Sequence, residues 1–399
     1  MASLKNRLTD VCMYLSHLDL TDFRNFRNLE LSLGPGLFLF YGENAQGKTN
    51  LLESVTMLTT AHSFHTTSDR EVMNWDSVEH VTRLRTTAVR EGSSITLEIV
   101  IFDPTLGQNG SVPLTPAGSD RQRKRIKVNG VLKKSLDLFG LVTIVLFAPT
   151  DLNLVDGPPE ERRRFLDRSL CQIRPQYCQA LLKYRKIVTQ RSALLKRIRE
   201  NQEDPRMLDY LDEKLTELAN LLMFERKRMV DALNEQVGEL QANLSGGRER
   251  LEIAYRPSFV MDPGWNMVEA LDHYRTQLRE ARKREIHQGV CSLGPHRDDL
   301  EFLVNGINML SFGSRGQQRT VALAAKLAEL SYMHRITGEE PILLLDDVFS
   351  ELDLQRRAYL LRQVLHHQQV LMTTTDFTGF PPEILEKAHL HRVVRGTLP

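Results

Sequence analysis

"GLFLFYGENAQGKTNLLESVTMLTT", residues 36 to 60, joins an apolar run, a glycine-bounded loop and a helical pattern without a break. Its centre, "GENAQGKT" at 42–49, fits Gly-x4-Gly-Lys-Thr directly after a strand pattern and directly before a helix pattern. Both flanks are what phosphate chemistry needs. Glycines let backbone N–H groups curl round an anion, and the helix dipole adds to the attraction. The loop Gly42, Glu43, Asn44, Ala45, Gln46, Gly47, Lys48 and Thr49 is therefore expected to bind a nucleotide. Lys48 would reach the β and γ oxygens, and the Thr49 hydroxyl would face Mg²⁺. With glycine at ordinary abundance, a chance match is on the order of one in a hundred for a chain of this size.

A second stretch completes the fold class. "PILLLDDVFSELD" at 341–353 is an aliphatic run ending in two carboxylates, the pattern of a buried parallel strand that delivers acids to its C-terminal edge. Asp346 is expected to hold Mg²⁺, and Asp347 to orient or deprotonate the attacking water. The expected class is thus α/β, with ATP and Mg²⁺ as cofactors.

Two further segments compete for a second nucleotide contact. "NLSGGRER" at 243–250 is followed by an alternating strand pattern, so its glycines read as the end of a long helix. "FGSRGQQRT" at 312–320 instead opens a long helical pattern and lies shortly before Asp346, which makes it a helix N-terminus beside the nucleotide strand. It has the small residues of an anion site, Ser314 and Gly316, but no lysine of its own.

Between these motifs the character changes. Strand patterns run through the first 40 residues, Thr82 to Val89 and Ser94 to Phe102, and "IKVNGVLKK" reads as a hairpin. Asp103 to Asp120, rich in Gly, Pro, Ser and Thr, reads as a loop. Long helical patterns follow, from Pro175 to Arg199 and from Asp204-Pro205 to about Leu240, and make an antiparallel arm. A helix from Met267 to His287 comes after the arm. The expected domains are 1–157 and 289–399 for the two parts of the head, with 158–288 inserted.

Net charge is +1, so a globally basic nucleic-acid coat is excluded. Locally, residues 121–134 carry seven Lys/Arg and no acid, and residues 160–200 carry twelve Lys/Arg against four Asp/Glu. These are the expected DNA contacts, set against the alternative of a solvated packing face. No stretch approaches a membrane span, and the N-terminus lacks a secretory pattern, so a cytoplasmic location is expected. Cys12, Cys171, Cys178 and Cys291 show no metal spacing and read as reduced thiols.

The order strand, "GENAQGKT", helical insertion, "SRGQQR", "LLLDDVFSELD" resembles the ATP-binding-cassette (ABC) heads of chromosome-maintenance and break-repair ATPases. More closely, "FRNF", "APTDLNLVDGPPEERRRFLD", "GPHRDDL" and "FGSRGQQRT" are similar to the RecF family of bacterial recombination and gap-repair proteins, in register from about Tyr14 to His391. The resemblance implies a two-lobed ABC-type P-loop ATPase head with an inserted helical arm. It implies an ATP-dependent homodimer, with Ser314 and Gly316 of one subunit closing over the γ-phosphate held by the other and either Gln317 or Arg319 reading the partner's nucleotide. It also implies Arg24 near the nucleotide, Asp353 at the dimer face, duplex and gapped DNA as partners, and the mediators RecR and RecO. Two departures point to slow hydrolysis: Asp347 stands where such heads place Glu, and Thr374 or Thr375 stands where they place His. For "GPHRDDL" the residues leave a structural ion-pair cluster and a functional site equally open. The rivals are a membrane transporter's ATPase subunit, which would not need a long helical arm, and another P-loop enzyme such as a phosphotransferase, for which the sequence offers no extra acidic metal cluster.

Overall fold

The computed structural model describes residues 13–66, 68–103, 124–259, 262, 264 and 266–399. The expected loop beyond Asp103, the first three residues of the basic stretch at 121–134, and Cys12 lie outside the described residues. By its contacts the chain forms two units, Met1–Pro149 with Met333–Pro399, and Thr150–Tyr332.

The first unit is built on two sheets. β1 (Met13–Phe23), β2 (Phe26–Ser32), β4 (Val81–Arg90), β5 (Ser93–Phe102), β6 (Lys124–Val128) and β7 (Val131–Lys133) form an antiparallel sheet in the order β2-β1-β4-β5-β6-β7. Alternation sends one face inward, and a register shift between Leu15 and His17 lets Leu15 and Leu18, three apart, both reach the core. The parallel sheet has the order β14-β3-β13-β12-β8, from β3 (Gly36–Tyr41), β8 (Ile144–Phe147), β12 (Ile342–Asp346), β13 (Gln369–Thr374) and β14 (His389–Arg392). Every residue of β12 and β13 is buried, which is why β12 reads as an apolar run up to Asp346 and β13 carries Val-Leu-Met at its centre, without alternation.

Helix α1 (Lys48–Thr60) touches strands of both sheets. Leu51, Leu52, Val55, Met57 and Leu58 are fully buried in one core with residues of each sheet, and each such side chain stabilises the unit by about 1.5–3 kcal/mol. The Gln369 amide, also buried, ties β13 to the antiparallel sheet: its Nε2 donates to Leu15 O and Gly34 O, and its Oε1 accepts from Leu15 N, all at 2.8 Å. Helices α9 (Leu354–Val364) and α10 (Pro382–Lys387) complete this unit.

The second unit holds α2 (Asn153–Asp156), α3 (Pro159–Ile173), α4 (Pro175–Arg199), α5 (Leu208–Ser245), α6 (Met267–Gln288), α7 (Met309–Phe312) and the larger part of α8 (Arg315–Thr337). Pro175 ends α3 and starts α4, since the residue before proline is driven out of helical geometry. Asp204 accepts from Arg206 N at 2.8 Å and starts the chain back into α5, which at 1.5 Å per residue is about 57 Å long. The arm expected as a helix pair is three helices, because α6 packs on both α4 and α5. Arg191 of α4, wholly buried, reaches Asp212 of α5 at 2.5 Å and Glu285 of α6 at 2.6 Å. Arg282 adds a second bond to Asp212 at 2.6 Å.

"NLSGGRER" ends α5 with Gly246 in left-handed geometry (φ 70) and leads into β9 (Leu251–Arg256). β9 pairs with β10 (Asp299–Val304), which pairs with β11 (Ile307–Asn308). That pairing draws residues beyond 288 into the same unit as the arm, and by contacts the two units divide at 149/150 and 332/333.

Candidate functional site

In the parallel sheet, Asp346 lies beside Thr373, and Thr374 beside Tyr41. The C-terminal ends of β12, β13 and β3 therefore share one edge, the place where open α/β sheets bind ligands. The loop Gly42–Gly47 leaves β3 there, and Gly47 caps α1. Lys48 is 7% exposed, and its Nζ donates to Gly42 O and Glu43 O at 2.7 Å each. Burial pushes the Lys48 pKa down, while the charges of Asp347 and Asp346 pull it back up.

Thr49 Oγ1 donates to Asp346 Oδ1 at 2.7 Å. Thr373 Oγ1 donates to the same oxygen at 2.8 Å and accepts from Asp347 N at 3.0 Å. Asp347 itself is left-handed (φ 46), a conformation that costs a non-glycine residue about 1–3 kcal/mol and turns the chain sharply after Asp346. Sequence reading passed over Thr373. Its signal was the triple threonine at the end of an apolar run.

A hydroxyl and a carboxylate joined at one point are hard oxygen donors of the kind Mg²⁺ takes, and a lysine at a helix N-terminus suits a polyphosphate. Thr49 and Asp346 fit the metal, and Lys48 with the 42–49 backbone fits the phosphates.

The other expected site residues are placed as follows. The Arg24 guanidinium grips the buried carboxylate of Glu53 on α1 through two bonds, 2.8 and 2.6 Å, and donates to Glu71 O at 2.6 Å. Gln46 Nε2 donates to Asn44 O at 3.4 Å, and Ala45 is left-handed (φ 62). Ser314 and Gln317 form a reciprocal capping box at the start of α8: Gln317 N donates to Ser314 Oγ at 3.3 Å, and Ser314 N to Gln317 Oε1 at 3.0 Å. Gln317 Nε2 donates to Glu249 Oε1 at 2.9 Å, so the end of the rejected glycine segment lies against the chosen one. Ser314 and Gly316 are exposed, and nothing lies within 4 Å of where a Cβ on Gly316 would stand. This segment belongs to the second unit and the phosphate loop to the first. Asp353 caps α9 by accepting from Arg356 N at 2.9 Å, and Thr374 Oγ1 donates to Asp376 O at 2.6 Å.

"GPHRDDL" lies inside the second unit as a polar network. Arg162 grips Asp299 at 2.6 and 3.1 Å, and Arg163 donates to Asp298 O at 2.8 Å. Buried Asp298 accepts from Tyr255 OH and from Ser258 N. Arg226, also buried, bonds Asp167 at 2.8 Å and Pro295 O at 2.6 Å. Tyr184 OH donates to His296 Nδ1 at 2.6 Å, and His296 Nε2 donates to Cys291 O at 3.2 Å. Burial lowers the His296 pKa to about 4, which keeps the ring neutral in that double role. Between the two readings left open, these contacts are those of a structural cluster, and two of its partners, Arg162 and Arg163, come from "RRRFLD" at 162–167.

Part of the charge excess at 160–200 is spent inside the protein, since Arg162 and Arg191 are buried in ion pairs. On α4, Lys183, Lys186, Lys196 and Arg199 remain exposed.

The AAA domain family model matches residues 17–283. The DNA replication and repair protein RecF of Chloroflexus aurantiacus is 41% identical over 395 residues, 96% of this chain and 99% of that one. The chain belongs to the RecF family. The RecF of Bacillus cereus is 38% identical over 388 residues, 97% and 98% of the two chains. A solved structure of the recombination mediator protein RecF with ATP, in the RecFOR pathway, superposes with a TM-score of 0.85 at 29% identity, over 98% of this chain and 99% of that one. The Smc head domain of Pyrococcus furiosus, 13% identical, superposes at 0.54 over 97% and 95%, a likeness of fold alone. The fold of this RecF-family chain is an ABC-type P-loop ATPase head with an inserted helical arm. No helix among the described residues is long and apolar enough to cross a membrane.

Proposed function

We propose that this RecF-family protein binds ATP with Mg²⁺ at Gly42–Thr49 and Asp346, dimerises on ATP, and hydrolyses it slowly as a timed clamp on DNA. The single observation that carries the reading is the convergence of Lys48, Thr49, Asp346 and Thr373 at one sheet edge. Bound Mg²⁺ would supply charge neutralisation at the phosphates. Lys48 holds the phosphate oxygens, Thr49 and Asp346 hold the metal, and Asp347 orients water. As a side chain one methylene shorter than Glu, Asp347 is set back from that water, and a misplacement near 1 Å costs about a hundredfold.

In the proposed dimer, Ser314, Gly316 and Gln317 close over the partner's nucleotide, which supplies the lysine their own segment lacks. Residues 1–157 and 289–399 act as the head and 158–288 as the arm. Arg24, held by Glu53, stands behind the nucleotide helix, and Asp353 faces the partner. The exposed cations of α4, with Lys133 and Lys134, are the proposed contacts to duplex and gapped DNA. The product of this cycle would be a marked gap in the cytoplasm at which RecR and RecO assist recombinase loading and replication restart. The comparison structure's place in the RecFOR pathway supports that assignment.

The test is to size the protein with ATP, with and without gapped DNA. Lys48→Met is expected to lose ATP binding. Ser314→Arg is expected to keep ATP binding and lose dimerisation, beyond the roughly 1 kcal/mol that losing a helix cap costs. Normal dimerisation of Ser314→Arg would sink the account in trans.

A further inference from the structure

The phosphate loop is held from behind by two segments far away in sequence. Gln46 O accepts from Asn25 Nδ2 at 2.8 Å and from Gly396 N at 2.9 Å. Gln46 Oε1 accepts from Arg395 N at 2.8 Å. Asn25 Oδ1 in turn accepts from Asn50 Nδ2 of α1 at 2.9 Å. The C-terminal segment is anchored on its own account. Val393 is fully buried and its N donates to Tyr41 O at 2.8 Å, while Val394 and Thr397 exchange two backbone bonds of 3.0 Å.

The approach is close enough to dictate residue type. A Cβ on Gly42 would lie 2.5 Å from Val393 O. A Cβ on Gly396, where φ is +76, would lie 2.0 Å from Asn25 O.

A planar trans peptide couples the two faces of this loop. The carbonyl of Gln46 and the N–H of Gly47 belong to one rigid unit and point in opposite directions. Two donors that pin Gln46 O outward therefore aim Gly47 N–H inward, where an anion would sit. A loop whose donors are already aimed loses less conformational freedom on binding.

We propose that the turn at 393–397 and Asn25 form a clasp that pre-organises the phosphate loop through Gln46, making Asn25, Gln46 and Gly396 positioning residues for polyphosphate binding. The proposal rests on Gly42–Thr49 being the nucleotide loop. The clasp acts on the phosphates alone, so its loss weakens every polyphosphate alike.

The experiment uses the full chain and measures the dissociation constants of ATP and of inorganic pyrophosphate, with thermal unfolding in the absence of ligand. Asn25→Ala and Gly396→Val are expected to weaken both ligands at least tenfold, in the same proportion. The unfolding temperature of Asn25→Ala is expected to fall by less than about 4 °C, and that of Gly396→Val by more, because its side chain meets the Asn25 backbone. If Gly396→Val does not fold, Asn25→Ala and Gln46→Ala decide the matter. Wild-type affinities in the folded variants would overturn the clasp, as would a loss confined to ATP with pyrophosphate untouched, or one that only tracks unfolding. Failure of the nucleotide-loop reading looks different: Lys48→Met would then bind ATP like the wild type.

Discussion

Replacing Thr373 by valine keeps the shape of the side chain and removes one hydroxyl. That hydroxyl donates to Asp346 Oδ1 at 2.8 Å and accepts from Asp347 N at 3.0 Å, so it ties the carboxylate assigned to the metal to the backbone of the residue assigned to the water. A hydrogen bond to an ionised group contributes about 1.5–3 kcal/mol. If that free energy acts on the transition state, turnover falls by about 10- to 150-fold. Lys48 and the loop do not touch Thr373 in this structure's hydrogen bonds, so ATP affinity should change by no more than about threefold, under 1 kcal/mol. Steady-state hydrolysis with and without duplex DNA gives the first number, and equilibrium binding of a fluorescent ATP analogue the second. Thr373→Ser, which restores the hydroxyl, should recover most of the rate. Turnover of Thr373→Val within twofold of wild type would refute the reasoning, because a carboxylate pair that needs no aligning group is not set by this bond.

Arg191→Met should destabilise the arm by about 3–5 kcal/mol, since Asp212 and Glu285 are left buried without their shared cation; urea unfolding followed by helical circular dichroism reads this. His296 provides a pH test. Its folded pKa, about 4, lies below the ordinary imidazole value, so the unfolded chain takes the proton first and stability from this group is complete above about pH 6.5. It is lost as the pH falls from there towards 4, amounting to about 2 kcal/mol at pH 5, and His296→Gln should remove that component from the urea midpoint. For DNA, Lys183→Ala with Lys186→Ala and Lys196→Ala should lower the slope of log affinity against log salt by about 2.7, and an unchanged slope would remove α4 from the DNA face.

The features legible in the sequence are those with local causes. α1 starts at Lys48 and α4 at Pro175 because Gly47 and Pro175 punctuate the chain there, and the end of α5 at Gly246 separates the two glycine segments on local grounds alone. What stayed hidden depends on partners distant in sequence. Thr373 becomes meaningful only once β12 and β13 lie parallel in the observed register, and the clasp on Gln46 joins residues 349 apart. The charge count over 160–200 overstated the basic face because arithmetic on letters cannot see that Arg162 and Arg191 are neutralised inside. The third arm helix was missed as an arm helix for the same reason, since its place is set by Glu285 and Arg282 meeting α4 and α5.

β3, the strand that delivers the phosphate loop, is hydrogen-bonded to β13 on one side and β14 on the other. Both neighbours are made last. At 5–20 residues per second, the roughly 330 residues between β3 and β13 take about 16–65 s to synthesise. Throughout that interval β3 lacks both of the strands it pairs with in the folded chain. A chain that stops short of β13 and β14 is therefore expected to bind no ATP.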